Sequence, residues 1–284
     1  MKNIIVPVDF SEESMSGLQI ALLFAKKTAV NIELVYVLQK LSEHRNSSLD
    51  AEQEYAEKQL EAIMAKYRPM IGKDSKLQFI IKKGRIYQEV VNQAQSYSEA
   101  IITASTHGAS GFQEFFIGSN AYRIISATDK PVITIRKGNC PGNFGRIVLP
   151  IDTTIDSRQK VPFTTELAKL FGSEVHVVGM QTSKSEREIK RVRTYVGQVA
   201  GFIQGKTPVV TNEVKGDNVA DMVVNYARSV KADLISITTE QGSGISLIIG
   251  NAAHQVLNKA EMPVLSQSPR NIRISGGSFS SSGG

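Results

Sequence analysis

The feature that most constrains this chain is that it repeats itself. Residues 2–9, Lys-Asn-Ile-Ile-Val-Pro-Val-Asp, return as Arg146-Ile147-Val148-Leu149-Pro150-Ile151-Asp152, matching Pro7 to Pro150 and Asp9 to Asp152 at an offset of 143. The same offset relates Ala25–Val37 to Ala168–Met180, while an offset of 132 relates Lys83-Gly84 to Lys215-Gly216 and Pro131-Val132 to Pro263-Val264. Two copies of one domain are the economical explanation. A length of 284 residues is enough for two domains of ordinary size.

Within the first copy, short apolar runs alternate with helical patterns. Strands are expected near 2–9, 31–38, 76–83, 100–105 and 131–136, and helices near 13–29, 49–69, 85–97 and 119–128. The second copy repeats the strands near 146–152, 173–180, 206–214, 232–238 and 263–267. Such alternation specifies an α/β fold, with a parallel sheet, helices on both faces and right-handed crossovers. Ser11 reads as the N-cap of the first helix, with Glu12 and Glu13 in its first turn and Met15, Leu18, Leu22 and Ala25 on its apolar face. The second helix carries Asp50, Glu52, Glu54, Glu57 and Glu61, so it is expected to cover only a sheet edge or a partner. The resulting domains are 1–137 and 146–268, joined by a linker at 138–145 that contains Pro141. Residues 269–284, rich in Ser and Gly, read as a disordered tail.

The richest local signal lies at the end of the fourth strand of the first copy. Ala100-Ile101-Ile102-Thr103-Ala104 runs into Ser105-Thr106-His107-Gly108, and after nine residues comes Gly118-Ser119-Asn120 at the start of a helix. Strand, Gly-punctuated loop and helix N-terminus form a setting in which ligands sit beyond the carboxyl ends of strands. Unpaired amides and a positive dipole end there suit a phosphate. Gly118 would let the backbone approach closely, and Ser119 could serve as N-cap and hydroxyl donor. His107 reads as a residue that positions the loop, since no partner carboxylate for a proton shuttle is identifiable.

Composition narrows the function classes. No run of some 18 apolar residues occurs, so no membrane span is expected. Met1-Lys2-Asn3-Ile4 enters a strand at once, without the pattern of a signal peptide. Cys140 is the only cysteine, which excludes an internal disulfide and fits a reducing, cytoplasmic setting. The net charge of +6 is spread along the chain. Its densest cluster, Arg187, Lys190, Arg191 and Arg193, is interleaved with Glu186 and Glu188 and reads as a solvated helix face. With no Trp, base stacking has little support, and nucleic acid is not an expected partner.

Taken together, the repeat, Val6-Pro7-Val8-Asp9-Phe10-Ser11, Tyr36-Val37 and the loop from Ser105 to Ser119 resemble the universal stress protein family. The resemblance covers both copies, roughly residues 1–268, as in a tandem member. Nucleotide-binding members show Gly, two residues, Gly, nine residues, Gly, then Ser or Thr. Gly108, Gly118 and Ser119 fit, whereas Ser105 stands at the first Gly position. The resemblance implies two flavodoxin-like (adenine nucleotide α-hydrolase-like) domains, each a five-stranded parallel sheet of order 3-2-1-4-5. It also implies binding of ATP, or of AMP or ADP, with or without Mg²⁺, in the first domain. Carried over residue by residue, Asp9 and Val37 would meet the adenine, and Pro7 and Ala104 would line its pocket. Ser105 and Gly108 would lie by ribose and phosphates, and Gly118, Ser119 and Asn120 would hold the phosphate tail. Asp9 equally suits capping or bonding its own loop, and Val37 is core in any reading. Pairing of the two domains through their fifth strands, Val132-Ile133-Thr134-Ile135 against Val264-Leu265-Ser266, is implied as well, and a further homodimer of the whole chain is left open.

The second copy departs from that pattern. Gly242 is followed by only seven residues before Gly250, Asn251 replaces the Ser, and Glu240 adds negative charge. The degenerate site made by Asp152, Gly242, Gly250 and Asn251 is expected to bind weakly or not at all. No P-loop, metal-binding His-Glu-x-x-His or nucleophile elbow occurs, so a fast enzyme is not expected, at most slow ATP hydrolysis or self-phosphorylation at Ser119. Two functions follow: a stress-response regulator or sensor that binds an adenine nucleotide, or a scaffold that binds none and acts through protein contacts.

Overall fold

The computed structural model describes residues 2–38, 49–106, 117–239 and 250–269. In the first half β1 (Asn3–Pro7), α1 (Met15–Ala25), β2 (Asn31–Leu38), α2 (Leu49–Tyr67), β3 (Lys76–Lys83), α3 (Ile86–Gln95), β4 (Ala100–Ser105), α4 (Ser119–Ala127) and β5 (Val132–Ile135) alternate. In the second half the order is β6 (Arg146–Ile151), α5 (Asp156–Gln159), α6 (Val161–Phe171), β7 (Glu174–Gln181), α7 (Glu186–Ile203), β8 (Val209–Lys215), α8 (Val219–Ser229), β9 (Leu234–Thr238), α9 (Asn251–Lys259) and β10 (Val264–Gln267).

The strands form a ten-stranded sheet of order β3-β2-β1-β4-β5-β10-β9-β6-β7-β8, so each half has the order 3-2-1-4-5. Pairing is parallel within each half, with Ile4 opposite Ile32 on one side and Ile101 on the other. β10 runs antiparallel to β5, with Val264 opposite Thr134, Leu265 opposite Ile133 and Ser266 opposite Val132. The central strands are apolar without interruption because both of their faces are covered. Successive side chains point to opposite faces. Ile4 and Val6 therefore enter one core with α1 and α6, and Ile5 enters another with α3 and α4. The acidic α2 packs on the edge strand β3 and its neighbour β2, burying Ala56 and Leu60. On α7 the basic cluster Arg187, Lys190, Arg191 and Arg193 is exposed, and Val192, Val196, Val199 and Ile203 face the core.

Two expectations about the first helix need correction. Regular α-helix begins at Met15, after a turn in which Ser16 N donates to Glu13 O and Gly17 N donates to Ser14 O. Ser11 does receive the Ser14 N–H on its hydroxyl, at 3.1 Å, but it caps this turn rather than α1 itself. Nor is α1 amphipathic, because every residue from Ser16 to Ala25 except Gln19 is buried. One side lies on the sheet and Phe24 reaches the other half, 5.0 Å from Phe171 and 6.3 Å from Phe144 (ring centroids). A helix covered on both sides reads as apolar all round. Phe144 lies in the 138–145 linker and is fully buried, so that segment is pinned between the halves. Most of the presumed tail, residues 270–284, falls outside the described residues.

Candidate functional site

The strand order reverses between β1 and β4, and in open α/β sheets ligands sit beyond the carboxyl ends of strands at such a switch point. Pro7 closes β1 opposite Val35, and Asp9 follows it, exposed. Asp9 Oδ1 accepts the Ser11 backbone N–H at 3.1 Å and the Ser11 hydroxyl at 2.5 Å. Ser14 closes the loop, its hydroxyl donating to Ser11 O at 2.9 Å and accepting from Asp9 N at 3.3 Å. The carboxylate thus bonds its own loop, one of the two roles that its position allowed. Between Asp9 and Ser11 the chain passes through Phe10 at φ 65°, a left-handed conformation that is uncommon for a bulky residue. Its ring stacks on Tyr36 with centroids 4.6 Å apart and meets Tyr55 edge-on at 6.0 Å. Burial, then the nearby Glu52 carboxylate, pushes the Tyr36 phenol above its ordinary range. Sequence reading missed this aromatic group, and the only available hint was the aromatic residue directly after Asp9.

On the other side of the switch point, Ala104 is buried opposite Thr134, and Ser105 ends β4 opposite Ile135. Thr106 N donates to Ile135 O at 2.8 Å, and Gly118 N donates to Thr106 O at 2.5 Å. These two bonds bring the start of α4 beside the end of β4. Gly118 is the N-cap residue, at φ −60° and ψ 148°, and it has no side chain with which to cap the helix. Ser119 is therefore the first helical residue and not the cap, and Gly118 needs no left-handed conformation. A glycine at this position itself supplies no side-chain oxygen to the first-turn amides. Ser119 and Asn120 are exposed there. Val37 is buried in β2 opposite Lys82. Gly108 and His107 lie outside the described residues.

This end of α4 also touches the second half. Ile117 N donates to the Asn258 side chain on α9 at 2.7 Å, and the Tyr122 ring meets His254 edge-on at 5.4 Å.

In the second half the loop lock is reproduced. Asp152 Oδ1 accepts from Thr154 N at 2.7 Å and from the Thr154 hydroxyl at 2.6 Å, and Ser157 takes the place of Ser14. Thr239 N donates to Gln267 O at 2.9 Å, and Gly250, at φ −58° and ψ 153°, opens α9 at Asn251 without a side-chain cap. Gly242 and Glu240 lie outside the described residues. A crevice of about 90 Å³ lies against Asp152, with Met180, Val223, Ile237 and Val256 among its apolar walls and Lys160 among its lining residues. Lys160 stands where the first half has Gly17 and is only 2% exposed. Its Nζ donates to Pro150 O at 2.8 Å and to Ser157 O at 2.6 Å. Burial lowers its pKa to about 7, against the opposing pull of the Asp152 carboxylate. Sequence reading passed over Lys160 as well, although a lysine replacing a glycine at the 143-residue offset was visible.

The sequence model of the universal stress protein family matches residues 1–136 and again residues 143–266. The chain belongs to the universal stress protein family. Its two matched segments fit a tandem member, each half having the flavodoxin-like strand order. Among solved structures, a universal stress protein from Archaeoglobus fulgidus DSM 4304 is similar over 95% of this chain and 97% of its own, at 20% identity and a TM-score of 0.73. A putative universal stress protein from Pseudomonas aeruginosa UCBPP-PA14 is similar over 95% and 94%, at 17% identity and a TM-score of 0.69. The Archaeoglobus fulgidus universal stress protein solved in complex with dAMP is similar over 43% of this chain and 97% of its own, at 22% identity and a TM-score of 0.37. The search of curated proteins returned no match. Among the described residues no helix is long and apolar enough to cross a membrane.

Proposed function

We propose that the amino-terminal half of this universal stress protein binds an adenine nucleotide, ATP or a shorter adenylate, and that occupancy acts on protein contacts rather than on fast turnover. The observation that carries this reading is the pairing of two features at one switch point of the sheet. The Asp9 loop is locked by Ser11 and Ser14, and α4 starts on Gly118, a cap residue that offers no side chain to the first-turn amides. A helix N-terminus without a cap offers amides and a positive dipole end to phosphate oxygens, and charge-assisted bonds of this kind are strong. The spacing from Gly108 to Gly118-Ser119 supports the same assignment. Pro7, Val37 and Ala104 would supply apolar wall to the base, Asp9 an acceptor to its amino group, and Ser105, Gly108, Gly118, Ser119 and Asn120 the ribose and phosphate contacts. Any Mg²⁺ would arrive coordinated by the phosphates themselves. Because Ile117 bonds Asn258, a ligand that shifts the start of α4 would also strain the contact with α9. That is a route from occupancy to the second half.

Heat denaturation of the purified chain, followed by mass analysis of the supernatant, should release an adenylate. Titration calorimetry of the stripped protein should show binding of ATP with Mg²⁺. In Gly118→Val the binding signal should vanish while the melting temperature stays within a few degrees, since residue 118 already has an extended backbone that valine accepts. An empty supernatant together with a silent titration would favour the scaffold reading. Normal ATP binding by Gly118→Val would remove the phosphate assignment.

A further inference from the structure

The second half has a crevice at its switch point, beside Asp152. Its walls are apolar side chains from strands and helices, with Asp152 and Asp156 at its polar end and the buried Lys160 among its lining residues. A phosphate would meet two carboxylates there, so a neutral ligand suits the crevice better. Two carbonyl oxygens, Pro150 O and Ser157 O, accept from Lys160 Nζ. Both bonds can be kept by the uncharged amine, whose two hydrogens then point at the two carbonyls. A lysine desolvated in apolar surroundings is an activated nucleophile toward carbonyl compounds.

We propose that this crevice binds a small aldehyde or ketone bearing a short apolar chain, and that Lys160 captures it reversibly as an imine. The Nζ lone pair attacks the carbonyl carbon, and the π electrons move to oxygen, which takes up a proton. The resulting carbinolamine loses water, so both amine hydrogens leave with the carbonyl oxygen as a carbon–nitrogen double bond forms. No oxidant or reductant is consumed. Asp152 and Asp156 are the titratable groups that line the crevice with Lys160. The amine value of about 7 makes the reactive form abundant near neutral pH. An exposed lysine is neutral there roughly a thousandfold less often.

The test is to incubate the full chain with butanal and cyanoborohydride, which fixes an imine as a secondary amine, and then to map the modified lysines by peptide mass. Lys160 should be labelled at least tenfold more than the average lysine, saturably with butanal and half-maximally near pH 7. In Lys160→Met that adduct should be lost while the others persist. The proposal is overturned if wild-type Lys160 stays unmodified while exposed lysines react, or if its labelling rises only in the alkaline range where they react. The mapping is done on the wild-type chain, so the outcome decides the matter even where the variant folds poorly. It is independent of nucleotide binding, since the nucleotide is assigned to the first half and Lys160 belongs to the second.

Discussion

Gly17 and Lys160 occupy equivalent positions in the two halves, and the contrast shows how one residue changes the packing of a helix on its strand. A Cβ on Gly17 would lie 2.7 Å from Thr103 O, and the Thr103 hydroxyl donates to Gly17 O at 2.9 Å. The absence of a side chain is what lets α1 lie directly on β4. Gly17→Ala should therefore destabilise by about 1–3 kcal/mol, measured from urea unfolding, because backbone cannot yield as a side chain tip can. In the second half the same path is interrupted, with α5 ending at Gln159 and α6 starting at Val161 on either side of Lys160. Lys160 also has a pH signature. Its folded pKa of about 7 lies below the ordinary value of 10.5. Between these values the unfolded chain holds a proton that the folded chain lacks, so this group makes stability rise with pH across that window. Below it both states are charged and the slope disappears. The rise amounts to a few kcal/mol, accumulating at about 1.4 kcal/mol for each pH unit inside the window. Urea midpoints measured across the window should show this component in the wild type and lose it in Lys160→Met.

At the scale of elements, the two halves use one scaffold with different internal clamps. Glu33 of β2 is buried and accepts from Gln78 on β3 at 2.9 Å, Gln93 on α3 at 2.7 Å and Tyr97 at 3.2 Å, tying strand, neighbour and helix together. Its counterpart is His176 on β7, whose ring nitrogens contact the Tyr226 hydroxyl at 2.9 Å and Glu174 at 2.8 Å. Glu33→Ala would leave three donors facing a void. It should cost about 1–3 kcal/mol, with amide exchange quickening in α3 first. The strands were legible because apolar β-branched runs of the right length are a local signal. The start of α1 was less so. Ser11 looked like a cap from its neighbours alone, and only the hydrogen bonds of Asp9 and Ser14 show that it closes a turn ahead of the helix. The full burial of α1 was hidden for a related reason, because its outer side is covered by Phe144 and Phe171, more than a hundred residues away.

Across the whole molecule, one sheet and shared cores join the halves. The Phe24, Phe144 and Phe171 rings lie within 6.3 Å of one another, and β5 hydrogen-bonds β10 along the middle of the sheet. Phe144→Ala should therefore cost about 3–5 kcal/mol and be felt in both halves. Calorimetry should show a single transition in the wild type, and a split or broadened one in the variant as coupling weakens. The repeat, the strand–helix alternation and the placement of Asp9 and Asp152 after the first strand of each copy are one-dimensional patterns, and the sequence alone determined them. The locking of Asp9 by Ser11 and Ser14, the Phe10 stack, the β5–β10 register and the near-neutral Lys160 were decided only by the tertiary structure. Burial, ionisation and side-chain pairing depend on groups that folding brings together from distant parts of the chain.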